Sequence, residues 1–410
     1  MIRIVAGLLL LWRSLAGAPS ASAAALDYIG GYDPGSPGFN AMAAGLDGFA
    51  YLGSWGGAAA CPSLGVRMID VRDPSAPSPV GSAAAYPGTT AEHVAVVRIA
   101  RSDFVGNVLL AGIQRCAPGG AAPSGLAIWD VSDPFNPYEL AFVETGRGGR
   151  GVHEFAVRQQ GERWLAFLAV PNAEVVTGRG DLRIVDITDP RQPLEVGDWG
   201  ARRDAGLRIG SGSQCAPACR GAIPQAFLHS VAVSADGRLA YLSYWDQGVL
   251  VLDVSEPSSP VLLGQFLEPL AAEGNTHSIS LAHEGRLALV ADETVGPPWG
   301  RLRLVDVQDP GNPVQVGVFA TEHARAGTPA GQYGYTIHNP LADDRDPNRA
   351  YLAWYADGVR LIDVSDASAP VELAAWVPPW GGEIWNVSLL GDLLLAGDIT
   401  NGLHVLRRAP

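Results

Sequence analysis

Short apolar runs recur along the whole chain, broken by Gly, Pro, Asp and Asn. FLHSVAV (227–233), RLAYLSY (238–244), GVLVLD (248–253) and VLLGQF (261–266) follow one another with little but turn residues between them. Their shortness, alternation and β-branched content predict strands, and the tight connections predict antiparallel neighbours. Beyond the N-terminus no run reaches the about 18 apolar residues that a membrane helix needs, so no membrane span is expected.

The pattern repeats. GVRMIDVRDPSAP begins at 65, GLAIWDVSDPFNP at 125, DLRIVDITDPRQP at 181, GVLVLDVSEPSSP at 248, RLRLVDVQDPGNP at 301 and GVRLIDVSDASAP at 358. Asp70, Asp130, Asp186, Asp253, Asp306 and Asp363 mark equivalent points, 53 to 67 residues apart. Each copy reads as a strand stopped by a turn in which Asp caps local N–H groups and Pro withholds a ladder donor. Two strands precede each copy and one follows, so the unit has four antiparallel strands. Units of this size repeated along a chain predict a β-propeller. Counting IWNVSLL (384–390), DLLLAGD (392–398) and GLHVLRR (402–408) as a last, incomplete unit gives seven blades. LDYIGGYD (26–33) is left over at the other end and is expected to supply the missing strand, closing the ring. The expected fold is all-β: one seven-bladed propeller domain over residues 26–410.

These copies resemble the LVIVD-repeat family, with LRIVDITDP (182–190) and LRLVDVQDP (302–310) nearest to its name. The resemblance covers nearly all of the chain after residue 25 and implies a propeller; it implies no particular activity. Two positions depart from it: Ala367 replaces the first Pro in the sixth copy, and Arg407 stands in place of the Asp in the seventh.

Five of the eight histidines open a first strand: His93, His153, His229, His277 and His338. Asn40 and Asn386 occupy the corresponding places in the first and last blades. In a propeller the first strand lines the axis, and its start shares a face with the end of the second strand. Acidic residues stand at that second place: Glu174, Asp246, Asp292, Glu293, Asp357 and Asp398. Topology therefore predicts imidazoles and carboxylates around one channel mouth. Two readings of them are open. In one, each His bonds an Asp of its own blade, as His229–Asp246, His277–Asp292 and His338–Asp357. In the other, the imidazoles converge on a divalent transition metal, Zn or Cu, with carboxylates orienting the rings.

Composition narrows the partners. Net charge is −14, which argues against nucleic acid. MIRIVAGLLLLW followed by AGAPSASAAA reads as an export signal over residues 1–25. Cys61, Cys116, Cys215 and Cys219 then suit disulfides in an oxidising compartment, paired 61–116 and 215–219; the C-x3-C spacing also suits half of a metal site. Long loops at 55–64, 114–124, 171–180 and 200–228 crowd the histidine face, marking it as the binding face. The expected protein is an exported monomer, secreted, periplasmic or at the cell surface. It binds a small-molecule or protein ligand at that face, through a metal or directly. A metal-dependent oxidase or hydrolase, and a surface interaction module with purely structural histidines, are the alternatives. No serine-hydrolase elbow, zinc-protease motif or phosphate loop is present to name a reaction.

Overall fold

Each repeat copy forms the third strand of a sheet, as its apolar pattern predicts. Gly248–Asp253, for example, pairs antiparallel with Leu239–Tyr244 on one side and Val261–Phe266 on the other. The computed structural model describes residues 26–409 other than 36–38, 57–60, 62, 118, 147–148, 217, 220, 222–223, 270–271 and 332. The expected export signal, 1–25, lies outside the described residues.

The molecule is an all-β propeller of four-stranded blades. Four sheets run in simple sequence order, spanning 155–199, 228–266, 276–319 and 340–376. In a fifth, Tyr28–Tyr32 lies antiparallel beside Gly402–Arg407, followed by Leu393–Asp398 and Ile384–Leu390. The strands from Asn40–Leu46 to Tyr138–Glu144 form one eight-stranded sheet. Its two halves, 40–83 and 89–144, meet at one residue pair, Ser54 opposite Ala91. Apolar clusters fill the space between neighbouring sheets: Leu165, Phe167 and Ile184 of one pack with Val231, Leu242 and Leu252 of the next.

The turn chemistry follows the sequence closely. Asp253 accepts a hydrogen bond from the Ser255 N–H at 2.8 Å, and Asp130, Asp186, Asp306 and Asp363 do the same two residues ahead. The second Asp of the tail repeats the device at Asp73, Asp133, Asp189, Asp309 and Asp366. Such turns end the strand locally, without help from distant residues. Two disulfides, Cys61–Cys116 and Cys215–Cys219, join the loops that sequence pairing suggested. The C-x3-C pair is thus a loop clasp and offers no thiolate to a metal.

Candidate functional site

The histidines reach the axis through a backbone irregularity. His229 falls between Leu228, opposite Tyr244, and Ser230, opposite Ser243; it is the extra residue of a β-bulge. His277 is the extra residue between Thr276 and Ser278 in the same way. The N–H of His338 donates to the Ala353 carbonyl at 3.0 Å, and the Ala353 N–H donates to the Asn339 carbonyl at 2.9 Å, so two residues face one. His153 and Glu154 face Ala169 likewise. A bulge leaves one residue unpaired and re-aims its side chain. Here it turns the imidazoles toward their neighbours around the axis.

Four rings form a continuous arc. Centroids lie 4.2 Å apart for His153–His229, 4.1 Å for His229–His277 and 4.2 Å for His277–His338. Each of the last three rings is tied to the next blade: Nδ1 of His229 to the His277 carbonyl at 3.0 Å, Nδ1 of His277 to the His338 carbonyl at 3.0 Å, and Nδ1 of His338 to the Trp385 carbonyl at 2.6 Å. A carbonyl oxygen only accepts, so each Nδ1 carries the proton. In the neutral ring Nε2 is then an acceptor: on His277 and His338 it is open, and on His229 it faces His153 Nε2 at 2.7 Å. Burial holds these rings neutral: His338 is pushed down to about 3, and His229 and His277 are pushed well below the ordinary value.

His153 is the exception. Its Nε2 lies 2.7 Å from Nε2 of His229, whose Nδ1 already holds the proton. His153 must therefore be the donor. Its Nδ1 faces acceptors too, Glu92 Oε2 at 2.9 Å and Gln114 Oε1 at 3.2 Å. With hydrogens needed on both nitrogens, His153 is an imidazolium. Its pKa is raised: burial lowers it, and the nearby charges of Glu92, Glu154 and Glu293 more than reverse that.

Two donor sets have metal-site geometry: His277, Glu293 and His338, and Glu154, His229 and His277, each with its ligand atoms within 4.8 Å of one another. In the first, Glu293 oxygens lie 3.7 Å from His277 Nε2 and 3.8 Å from His338 Nε2. Tetrahedral zinc, with bonds of 2.0–2.2 Å, holds its N and O donors about 3.4 Å apart, so small movements bring this set to fit. Nε2 of His338 is buried and has no partner among the described residues. Tyr355 donates its hydroxyl to Glu293 Oε1 at 2.5 Å and fixes the carboxylate, and Tyr355 itself sits at a φ of 27°, a strained backbone for a non-glycine residue. Burial raises Glu293 and Glu154 to about 7. Both sets use His277 Nε2, and one lone pair serves one ion. They are alternative seats.

The remaining expected residues sit elsewhere. His93 is one step further along its strand than the arc, against Phe155 with centroids 4.5 Å apart; Glu92 meets His153 in its place. Asp246 accepts from the backbone N–H groups of Gln225 and Asn275, not from His229. Asp292 pairs with Arg303 at 2.7 Å. Asp357 holds His323 at 2.7 Å, and His338 goes to Trp385 instead. Glu174 accepts from the N–H groups of Arg202 and Arg203. Asp398 takes the N–H of Glu383 and pairs with His404 at 3.0 Å. Asn40 donates to the Ile399 carbonyl, and Asn386 makes two bonds to the Ala43 backbone. Among the acidic residues at the second place, only Glu293 joins the arc. Sequence reasoning missed Glu92 and Glu154, although both adjoin histidines in EHVAVV and VHEFAV.

The LVIVD repeat model matches residues 174–199 and 229–268. No curated protein matches the chain in sequence. Among solved structures, Raptor of Chaetomium thermophilum superposes with a TM-score of 0.57 at 11% identity, covering 94% of this chain and 29% of its own length. A chain of the mitotic checkpoint complex gives 0.57 at 10% identity, over 100% of this chain and 99% of that one. The C-terminal WD40 domain of Sif2 gives 0.52 at 10% identity, over 94% and 99%. At such identities the likeness concerns the fold alone.

Proposed function

We propose that this LVIVD-repeat β-propeller is a binding and scaffold protein that holds one divalent transition metal, zinc or copper, at the histidine arc. On this reading the eight-stranded sheet counts as two blades, giving seven, and Tyr28–Tyr32 closes the ring beside the C-terminal strand. The disulfides suit export to an oxidising compartment.

The observation that carries the metal reading is the orientation of His277 and His338. Both Nδ1 atoms are committed to carbonyls, which leaves two buried Nε2 lone pairs facing the oxygens of one carboxylate. Neutral imidazole with a carboxylate is a donor set for zinc or copper. A bound ion would supply Lewis acidity and an open coordination position at the arc. The chain's own residues do the rest: backbone carbonyls fix the tautomers, Tyr355 orients Glu293, and the bulges hold the rings at the axis.

Elemental analysis of the purified protein tests this. One equivalent of zinc or copper, retained on gel filtration and lost in His277→Ala, is expected. Protein that takes up no ion, and whose thermal midpoint does not move when zinc or copper is added, would sink the metal. The second reading, a scaffold with purely structural histidines, is favoured by the same Nδ1–carbonyl bonds, since they rivet neighbouring blades together. It predicts that His277→Ala lowers stability equally with and without added ion.

A further inference from the structure

Below the arc a cavity of about 620 Å³ runs along the axis, lined by the first strands of every blade. Its wall is apolar over most of its length, with Ala44, Ala95, Ala156, Ala232, Ile279 and Leu341 half-buried around the lumen. Its inner end, directly under the histidines, is polar. There Glu154 Oε1, His93 Nδ1 and Asn339 Oδ1 are buried and make no hydrogen bond of ordinary geometry among the described residues, although the Ser230 and Asn339 side chains lie near enough to Glu154 to stabilise its ionised form in part. Glu154 as a whole is 2% exposed. The far end reaches exposed Arg158 and Asp344, and so opens to solvent.

We infer that this channel is a binding site for a small neutral molecule with an apolar chain and one hydroxyl head, chain in the lumen and hydroxyl at Glu154. Buried acceptors without partners are costly, and a donor that reaches two of them removes that cost. The end wall offers two such acceptors, a carboxylate and an amide oxygen, so the head must donate. A carboxylate head would meet Glu154 with like charge. An ammonium head would match Glu154 but would have to give up its hydration shell beside the His153 imidazolium. A hydroxyl avoids both. The volume is typical of small-molecule sites, which are about 300–1,000 Å³ and mostly apolar with a few polar groups.

The site adjoins the metal seat but does not require it, so binding is measured on metal-free protein. Titration calorimetry with 1-butanol, 1-hexanol and 1-octanol is expected to give one site, with affinity rising roughly three- to fourfold per methylene. Hexanoate and hexylamine are expected to bind at least tenfold more weakly than 1-hexanol. Ala156→Phe and Ala232→Phe, which fill the lumen, are each expected to weaken 1-hexanol at least tenfold while the thermal midpoint shows the protein folded. Affinity independent of chain length, hexanoate binding as well as hexanol, or unimpaired binding by both folded lumen variants would overturn the inference. Metal content measured on the same preparations keeps the two readings separate: alcohol binding with no ion uptake sinks only the metal.

Discussion

Tyr355 shows how one residue conditions the site. Its hydroxyl is spent on Glu293 Oε1, its backbone is strained, and it packs against His338 with centroids 5.1 Å apart. Removing the hydroxyl leaves the packing and frees the carboxylate to rotate. Tyr355→Phe is therefore expected to lower zinc affinity about 10- to 100-fold, as loss of a group that orients a ligand commonly does. Competition against a chromogenic chelator measures it; unchanged affinity would mean that Glu293 is not a ligand. The shared Nε2 of His277 adds a sharper contrast. Glu293→Gln blocks one donor set but leaves Glu154, His229 and His277, where an ion must first displace the His153 N–H from His229 Nε2, so weaker binding of one ion is expected to persist. His277→Ala removes a donor from both and is expected to abolish it. Equal residual binding in the two variants would exclude alternative seats.

At the scale of elements, what was legible in sequence was what is decided locally. The strand-ending turns could be read because each Asp bonds an N–H two residues away, as Asp253 does with Ser255. Asp253→Ala is accordingly expected to cost about 0.5–1.5 kcal/mol, the ordinary net value of one such bond. Urea unfolding would show it as a lower midpoint with unchanged slope; no shift would mean that Pro alone ends the strand. The repeat and the Cys215–Cys219 clasp were legible for the same kind of reason, and the sheet order and the Cys61–Cys116 pair, 55 residues apart, followed from the repeat, which sets equivalent loops side by side. The direction of the histidines was not. It depends on a bulge, and a bulge is a statement about the opposite strand: His229 is unpaired only because Leu228 meets Tyr244 and Ser230 meets Ser243. A one-residue offset of this kind also moved His93 out of the arc and brought Glu92 in. Acidic residues such as Asp246 stood on the expected face, yet their carboxylates cap loop N–H groups, an alternative that the sequence spacing does not separate from pairing with His.

Across the whole molecule, two buried populations titrate against each other. Glu154, Glu293 and Asp246 are raised to about 7, Asp181 to about 6 and Asp292 well above its ordinary value, burial being the largest cause in each. A raised carboxyl pKa means that the native state binds the proton more tightly than the unfolded chain. The stability this brings is full below the unfolded value near pH 4 and is lost as pH rises through about 7. His93 and His338 are lowered to about 3, and His229 and His277 well below their ordinary value. Their contribution has the opposite sign: it is full above about pH 6.5 and is lost as pH falls toward about 3. Between roughly pH 4.5 and 6.5 the two sets oppose, and each net proton changes stability by about 1.4 kcal/mol per pH unit. Metal-free protein is therefore expected to show a nearly level thermal midpoint across that window. A steep fall should follow below about pH 4.5, where the raised carboxyls are protonated in both states while the histidines, and the turn aspartates such as Asp253 and Asp363 that hydrogen bonds hold below the usual carboxylate range, still lose stability as pH falls. Zinc changes the shape of the curve, because Glu293 must be ionised and His277 and His338 unprotonated to hold it. Protons then compete with the ion, and the midpoint with zinc is expected to decline toward the metal-free curve as pH drops below about 7. Melting curves at fixed zinc, taken in half-unit steps of pH, distinguish the cases. Two parallel curves, or a metal-free midpoint that falls steadily from pH 6.5, would show that the buried histidines and carboxyls do not offset one another as their surroundings require.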